Sequence, residues 1–440
     1  MTTKSFTVSR RRFLQTATAT AAATGLPLWY LERELGEARA AETPKSANDR
    51  PRIALVGCGG QGRGDTGAAR RFGDVVCVCD VDDSQADKAV KEFTPKEGKK
   101  PDKLADFRKV MERKDVDVVV NGTPDHWHTL VNLAAARAKK DIYTEKPLTL
   151  TIDEGKRLVQ AVRENSVVLQ VGSQQRSERN FRFACELVRN QRIGKLRQII
   201  VGLPTGPRGG PFLPQPVPQG LNWDAYVGQA SFLDYNGHNC HWDFRWWYRF
   251  SGGQMTDWGA HHNDIAQWGN GSELSGPAEI EGRSLVEMIP GGYDAASEYE
   301  IQCKYSNGVT MTITDEKRAP NGVKFIGSDG WVFVTRGKID ASNKALLEEK
   351  LPENAIRLHR SDNHMGNFFE CVKSRKDPIC PVEVGHRSIS VAHLGAIAVR
   401  TGLRLQWDPA KEIFVGETAK EANMWVSRDM RKPYDYSYLG

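Results

Sequence analysis

The chain has 440 residues, 39% of them apolar and 26% charged, an ordinary balance for a folded soluble protein and a length beyond what one hydrophobic core serves. The formal charge of +6 carries little meaning, because residues 1–40 hold Lys4, Arg10, Arg11, Arg12, Arg33 and Arg39 against Glu32, Glu34 and Glu37, which leaves +3 for the rest. A chain that near neutrality offers no field for nucleic acid or an anionic membrane, and eight cysteines over this length do not make a disulfide framework.

The first elements belong to targeting. Arg10 and Arg11 are followed by Phe13 and Leu14, then by a mild Ala/Thr-rich run from Thr16 to Leu31 and a small-residue cut at Ala38-Arg39-Ala40. That order fits a twin-arginine export signal over residues 1–40, removed from the mature chain, and the run is too short and weak to span a bilayer. The expected location is periplasmic or otherwise extracytoplasmic. Because this route carries folded proteins, a cofactor can be loaded before export. Residues 41–50 read as a polar linker.

Strand and helix then alternate. Arg52–Val56 is an apolar strand followed by glycines and a helix through Phe72. Val75–Cys79 is a second strand, ending at Asp80. Val116–Val120 is followed by a helix through Ala138, and Ile142–Thr144 by a helix that opens on the capping box Thr151-Ile152-Asp153-Glu154. Val167–Val171 closes the series. Continuous apolar strands between helices mean a parallel sheet covered on both faces. Residues 51–176 therefore read as one doubly wound domain.

The character changes in residues 177–440. A helix near 180–190 and a strand at 196–202 precede a proline- and glycine-rich irregular loop at 204–220 and an aromatic-dense stretch at 222–249. Alternating strands follow at 278–285, 297–305, 309–314, 323–327 and 331–335, with Asn307-Gly308 as a hairpin turn. This reads as an α/β domain with a large open, mainly antiparallel sheet. Helices at 364–373 and 384–401 are expected to return toward the first domain.

Three segments carry chemistry. Gly57-Cys58-Gly59-Gly60-Gln61-Gly62 fills the GxGxxG positions between a strand and a helix, and glycine is needed where a pyrophosphate meets bare backbone amides. Asp80, at the end of the next strand, suits the ribose hydroxyls and repels a 2′-phosphate, so NAD is favoured over NADP, with Arg63 as the contrary sign. Gly122-Thr123-Pro124-Asp125-His126-Trp127-His128 and Glu145-Lys146-Pro147 each follow a strand at the carboxyl edge of the sheet, where ligands bind. In Asp257-Trp258-Gly259-Ala260-His261-His262-Asn263-Asp264, residues 257, 261 and 264 share a face if the run is one helix, and a carboxylate beside His261 makes a tunable base. His238-Asn239-Cys240-His241 matches no standard zinc spacing, and no metal is expected.

The glycine loop, the TPDHWH and EKP segments and the DWGAHHND run together resemble the Gfo/Idh/MocA oxidoreductases, named for glucose–fructose oxidoreductase and inositol dehydrogenase. The resemblance covers nearly all of residues 52–440. It implies a Rossmann domain plus an open-sheet α/β domain, with substrate held between them. It implies that Lys146, Asp257 and His261 are catalytic. The cofactor, a tightly held NAD, is expected on Gly57, Gly59, Gln61, Gly62, Asp80, Thr123, Pro124, His128, Glu145 and Lys146. Trp127, Arg176, Arg245, His262 and Asp264 are candidates for substrate.

The expected activity is hydride transfer between a sugar or polyol hydroxyl and nicotinamide, by a homodimer or homotetramer. Two other readings stand beside it: a glycosidase or glycoside lyase that oxidises its sugar transiently, and a non-catalytic sugar-binding protein.

Overall fold

The computed structural model describes residues 50–348 and 350–439, so the leader and most of the linker read above lie outside the described residues. Six strands, β1 (Arg52–Val56), β2 (Asp74–Cys79), β3 (Asp102–Leu104), β4 (Val118–Asn121), β5 (Asp141–Thr144) and β6 (Leu169–Val171), form a sheet of order β3-β2-β1-β4-β5-β6 in which every pairing is parallel. Strands β4 and β5 are buried along their whole length, as two helical layers require. Cys77 and Cys79 pack in that core as small apolar groups. The capping box forms: Thr151 Oγ accepts the Glu154 N–H, and the Glu154 carboxylate accepts the N–H groups of Leu150 and Thr151. Strand β3 and the short helix Phe107–Met111 escaped the sequence reading, being too short to show a period.

Nine more strands make the second sheet, in order β13-β12-β11-β7-β10-β9-β8-β14-β15. It runs from β7 (Leu196–Leu203) through β8 (Glu279–Ser284), β9 (Tyr299–Lys304), β10 (Thr310–Asp315), β11 (Gly322–Gly327), β12 (Trp331–Thr335) and β13 (Lys338–Ala341) to β14 (Leu405–Asp408) and β15 (Ile413–Val415). All its pairings are antiparallel except β7 with β10. Burial alternates along β9 and β12, so one face is covered and the other partly open. Helices Arg179–Arg189, Gly259–Asn270 and Val382–Thr401 fill the covered face. Asn307-Gly308 turns β9 into β10 with Gly308 at φ +86°. Residues 204–218 hold no regular structure.

Helix Val382–Thr401 serves both sheets. Val382, Ile389 and Ala392 belong to the core of the parallel sheet, while Val391, Leu394 and Ile397 belong to that of the second. Helix His364–Ser374 also returns to the first sheet, where Phe369 stacks on Phe72 with ring centres 5.1 Å apart. Among the described residues no helix is long and apolar enough to cross a membrane.

Two substrate candidates prove structural. Arg176 lies in the turn after β6 with 2% of its side chain exposed. Its guanidinium grips both oxygens of Asp264 at 2.6 and 2.8 Å and Glu273 at 2.8 Å, and Ser388 donates to Asp264. A cation this deep exists only with its counter-charge. Arg176→Ala is therefore expected to cost about 3–5 kcal/mol of stability by leaving Asp264 unpaired. Urea unfolding measures this directly. An unchanged KM in the surviving folded fraction separates this role from substrate binding.

Candidate active site

A cavity of about 720 Å³ runs along the carboxyl edge of the parallel sheet, within the size range of cofactor sites. Its floor is the glycine loop. Gly57 has φ +86°, and a Cβ there would lie 2.4–2.6 Å from the backbone of Gly122 and Thr123. Gly62 does not reach the cavity. A Cβ on it would strike the Gly57 carbonyl oxygen at 2.1 Å, so its smallness serves the packing of helix on strand. At Gly59 a Cβ would meet nothing within 4 Å. Helix Gly60–Ala69 starts there with no side-chain cap and no acidic residue in its first turn. Uncapped N–H groups facing an open cavity beside bare glycine suit a pyrophosphate.

Asp80 stands at the end of β2 on the cavity wall. Its carboxylate accepts the Cys58 N–H at 2.6 Å and the Asp82 N–H at 2.9 Å, so it braces the glycine loop from the cavity wall. Burial raises its pKa to about 6, against the pull of these two bonds. Arg63, the contrary sign for NADP, is committed elsewhere: its Nε donates to the Cys58 carbonyl and it pairs with Glu92 at 2.9 Å.

The roof comes from the second half of the chain. Asp83 N–H donates to Gly220 O and Asn222 N–H to Val81 O, each at 2.9 Å, and His241 lies 3.5 Å from Asp82. Asn222, Tyr226, His241, Trp242, Phe244 and Arg245 face the cavity from this side.

Lys146 marks the opposite end from the β3 edge. Its Nζ donates to Asp257 Oδ1 at 2.5 Å, and Arg245 Nε approaches the same oxygen at 3.4 Å. The pair is 14% and 10% exposed. Burial works against the ammonium, but Asp257 and Glu145 outweigh it and hold the Lys146 pKa above the usual lysine value. Burial likewise works against the Asp257 carboxylate, which Lys146 and Arg245 hold below the usual range. Asp257 therefore orients the lysine, not the histidine. No hydrogen bond joins Asp257 to His261 among the described residues; the run divides at Trp258 into Gln254–Asp257 and Gly259–Asn270, with Trp258 itself in helical conformation. His261 is 4% exposed and its Nδ1 lacks a partner. Burial, then the nearby Lys146 charge, pushes its pKa well below 6.5. The imidazole is neutral, opposite to the raised basicity expected from a carboxylate partner. Lys146 is on the cavity wall; Asp257 and His261 stand next to it but do not form the wall.

The remaining predicted residues divide. Gln61, Thr123, Pro124 and Glu145 line the cavity. Gln61 Nε2 bridges Asp65 at 3.2 Å and Glu145 at 3.5 Å, and Gln174 donates to Glu145 at 3.0 Å. His128 does not line it: its ring nitrogens lie 2.6 Å from Pro147 O and 2.8 Å from Thr123 O, fastening two cavity loops together. His262 is buried with Nε2 2.8 Å from Asn321 Oδ1, away from the cavity wall. Trp127 lines the cavity, but beside Phe107, Tyr434 and Tyr438 at the end away from Lys146. Of the tryptophans in the aromatic stretch, Trp246 and Trp247 are core. Trp242 is 66% exposed at the cavity, under the Arg245 guanidinium at 4.2 Å.

Sequence reasoning missed Asp125. It lines the cavity, hydrogen-bonds Ser251 Oγ, and has Arg245, Asp257 and Lys146 within electrostatic reach. Burial raises its carboxyl to about 7. It opens a helix directly after β4, and that position was its available signal.

A nucleotide-edge cavity joined to a buried lysine–carboxylate pair suits a nicotinamide-dependent oxidoreductase. Two family models match: the NAD-binding Rossmann fold of the Gfo/Idh/MocA oxidoreductases over residues 51–173, and their C-terminal alpha/beta domain over residues 210–436. The chain belongs to that family. It is 24% identical over 356 residues to scyllo-inositol 2-dehydrogenase (NAD(+)) of Bacillus subtilis, covering 78% of this chain and 91% of the relative. It is 33% identical over 165 residues to a glycosyl hydrolase family 109 protein of Shewanella sp., covering 33% and 35%. The fold matches levoglucosan dehydrogenase solved with NADH and levoglucosan, at TM-score 0.60 and 16% identity over 81% of this chain and 99% of that one.

The bracing role of Asp80 sets a pH dependence. NAD affinity is expected to hold above pH about 7 and to fall as pH drops through about 6, because the protonated carboxyl loses acceptor capacity. Asp80→Ala is expected to weaken NAD by roughly 10–100-fold, the worth of a hydrogen bond to a charged group. NADP should lose only the loop's share. Calorimetric titration of stripped protein checks both, and a wild-type preference for NADP would refute the assignment.

Proposed function

We propose that this chain oxidises a secondary hydroxyl of a sugar or polyol, with NAD as hydride acceptor. The observation that carries the reading is the ion pair of Lys146 and Asp257 at the inner end of the dinucleotide cavity. NAD, when bound, supplies a nicotinamide ring that takes the carbinol hydride. Lys146, held by Asp257, keeps its proton and donates it in a hydrogen bond to the substrate oxygen, which favours the alkoxide. Neutral His261, next to Lys146 and behind the cavity wall, is the group assigned to take the hydroxyl proton when the substrate oxygen is brought within its reach. Trp242 and Phe244 offer faces for the C–H surface of a sugar ring, and Arg245 a donor for its hydroxyls. The relatives named for scyllo-inositol, myo-inositol and levoglucosan act on substrates of this kind.

His261→Ala is expected to lower turnover by roughly 10²–10⁴ with NAD binding intact, the usual worth of a positioned acid/base. Lys146→Ala should cost a comparable factor, and the double variant less than the product of the two. Near-normal turnover in His261→Ala, followed as NADH formation with inositols and anhydrosugars, would dismiss this mechanism.

Asp125 favours a second reading, glycoside cleavage with no net oxidation. A ring hydroxyl is oxidised to a ketone, the C–H beside the ketone loses its proton, and the aglycone leaves. Water then adds and the hydride returns. A carboxyl near pH 7 can protonate the leaving oxygen. The family 109 relatives agree with this. Aglycone release without NADH accumulation, lost in Asp125→Asn, distinguishes it from simple oxidation.

We also read residues 1–40 as a twin-arginine leader, which places the mature enzyme, as a homo-oligomer, outside the cytoplasm with its NAD already loaded. Replacing Arg10 and Arg11 by Lys should strand the precursor inside. Normal export of that variant in cell fractionation contradicts the leader.

A further inference from the structure

The cavity extends past Asp80, away from Lys146, toward the loop after β3, where Ala105 and Phe107 form its wall. With the ribose at Asp80, this end takes the adenine. Two of its walls come from the last residues of the chain. Tyr434 and Tyr438 line the cavity with ring centres 4.9 Å apart; Tyr434 lies 5.8 Å from Trp127, and Tyr438 lies 6.2 Å from Phe107.

The tail is fastened on both sides of the cavity. Arg431 N–H donates to Gln229 O, its guanidinium pairs with Asp224 at 2.7 Å, and Tyr434 Oη donates to the same carboxylate at 2.7 Å. On the Rossmann side the Arg108 guanidinium sits 3.9 Å over the Tyr438 ring. These four rings pack against one another, with centres 4.9–6.4 Å apart, and together present one aromatic wall to the cavity. A flat, uncharged base that lays its π-face on it is the group such a wall recognises.

We infer that the C-terminal tail is part of the cofactor site, with Tyr434 and Tyr438 walling the adenine and slowing the escape of the dinucleotide. This rests on the NAD cavity and is independent of which hydroxyl is oxidised. It makes NAD retention a property of this chain's tail as well as of its glycine loop.

The test is the full-length double variant Tyr434→Ala/Tyr438→Ala, stripped of cofactor and titrated separately with NAD, ADP-ribose and nicotinamide mononucleotide. Affinity for NAD and ADP-ribose should fall roughly tenfold or more, the worth of lost base stacking. NAD dissociation in stopped flow should quicken by a similar factor, and nicotinamide mononucleotide binding should not change. Tyr434→Phe/Tyr438→Phe should stay near wild type, because the rings remain. Unchanged NAD and ADP-ribose affinities in a folded double alanine variant overturn the inference, and so does an equal loss for nicotinamide mononucleotide. Should the alanine variant fail to fold, carboxypeptidase trimming of the wild-type tail decides. ADP-ribose should slow removal of Tyr438 while nicotinamide mononucleotide does not, and trimming indifferent to ADP-ribose overturns the inference.

Discussion

A lysine taken almost wholly out of water must have its charge answered, and Asp257 answers that of Lys146. The rest of the site follows from this constraint. Lys146 comes from the end of β5 in the parallel sheet, and Asp257 from a short helix of the second half of the chain. Their pairing fixes the two halves against each other where the cavity ends. It also keeps the ammonium charged, and that charge adds to burial in keeping His261 neutral. A neutral imidazole keeps a lone pair that can accept a proton, and burial and the neighbouring cation both lower its basicity. Arg245 shares the Asp257 oxygen and carries the same electrostatics out to Trp242 at the cavity.

Much of this was legible in the residues, for physical reasons that differ from place to place. The parallel sheet showed because its strands are apolar throughout and lie between helices. The glycine loop and Asp80 showed because only particular side chains are tolerated where backbone must meet a pyrophosphate. The DWGAHHND run was legible as chemistry and misleading as geometry. Helical spacing puts residues 257, 261 and 264 on one face, but Asp257 pairs with Lys146 and Asp264 is claimed by Arg176. The partner of a buried charge is chosen by residues far away in sequence, and Lys146 and Asp257 are 111 positions apart. Tyr434 and Tyr438 had no local signal, since nothing in a short tail shows which cavity it meets.

Reach decides whether several of the charged groups near the cofactor are functional or structural. Arg176, His128 and His262 are all polar, all buried and all predicted site residues, yet each makes its hydrogen bonds to other parts of the protein. Asp125 has Ser251 as its hydrogen-bond partner and still faces the cavity. A buried polar residue with capacity left over on the cavity side is the useful criterion, and motif membership alone is a weaker one.

Helix Val382–Thr401, 20 residues long and packed into the cores of both sheets, has a mechanical consequence. A helix shared by two cores couples them, because a large displacement of one against the other must disturb its packing in one of them. Residues between Asn222 and Arg245, together with the C-terminal tail, line the cavity from the second half of the chain. The shared helix couples the melting of the two sheets, so the fold should lose both in a single calorimetric transition.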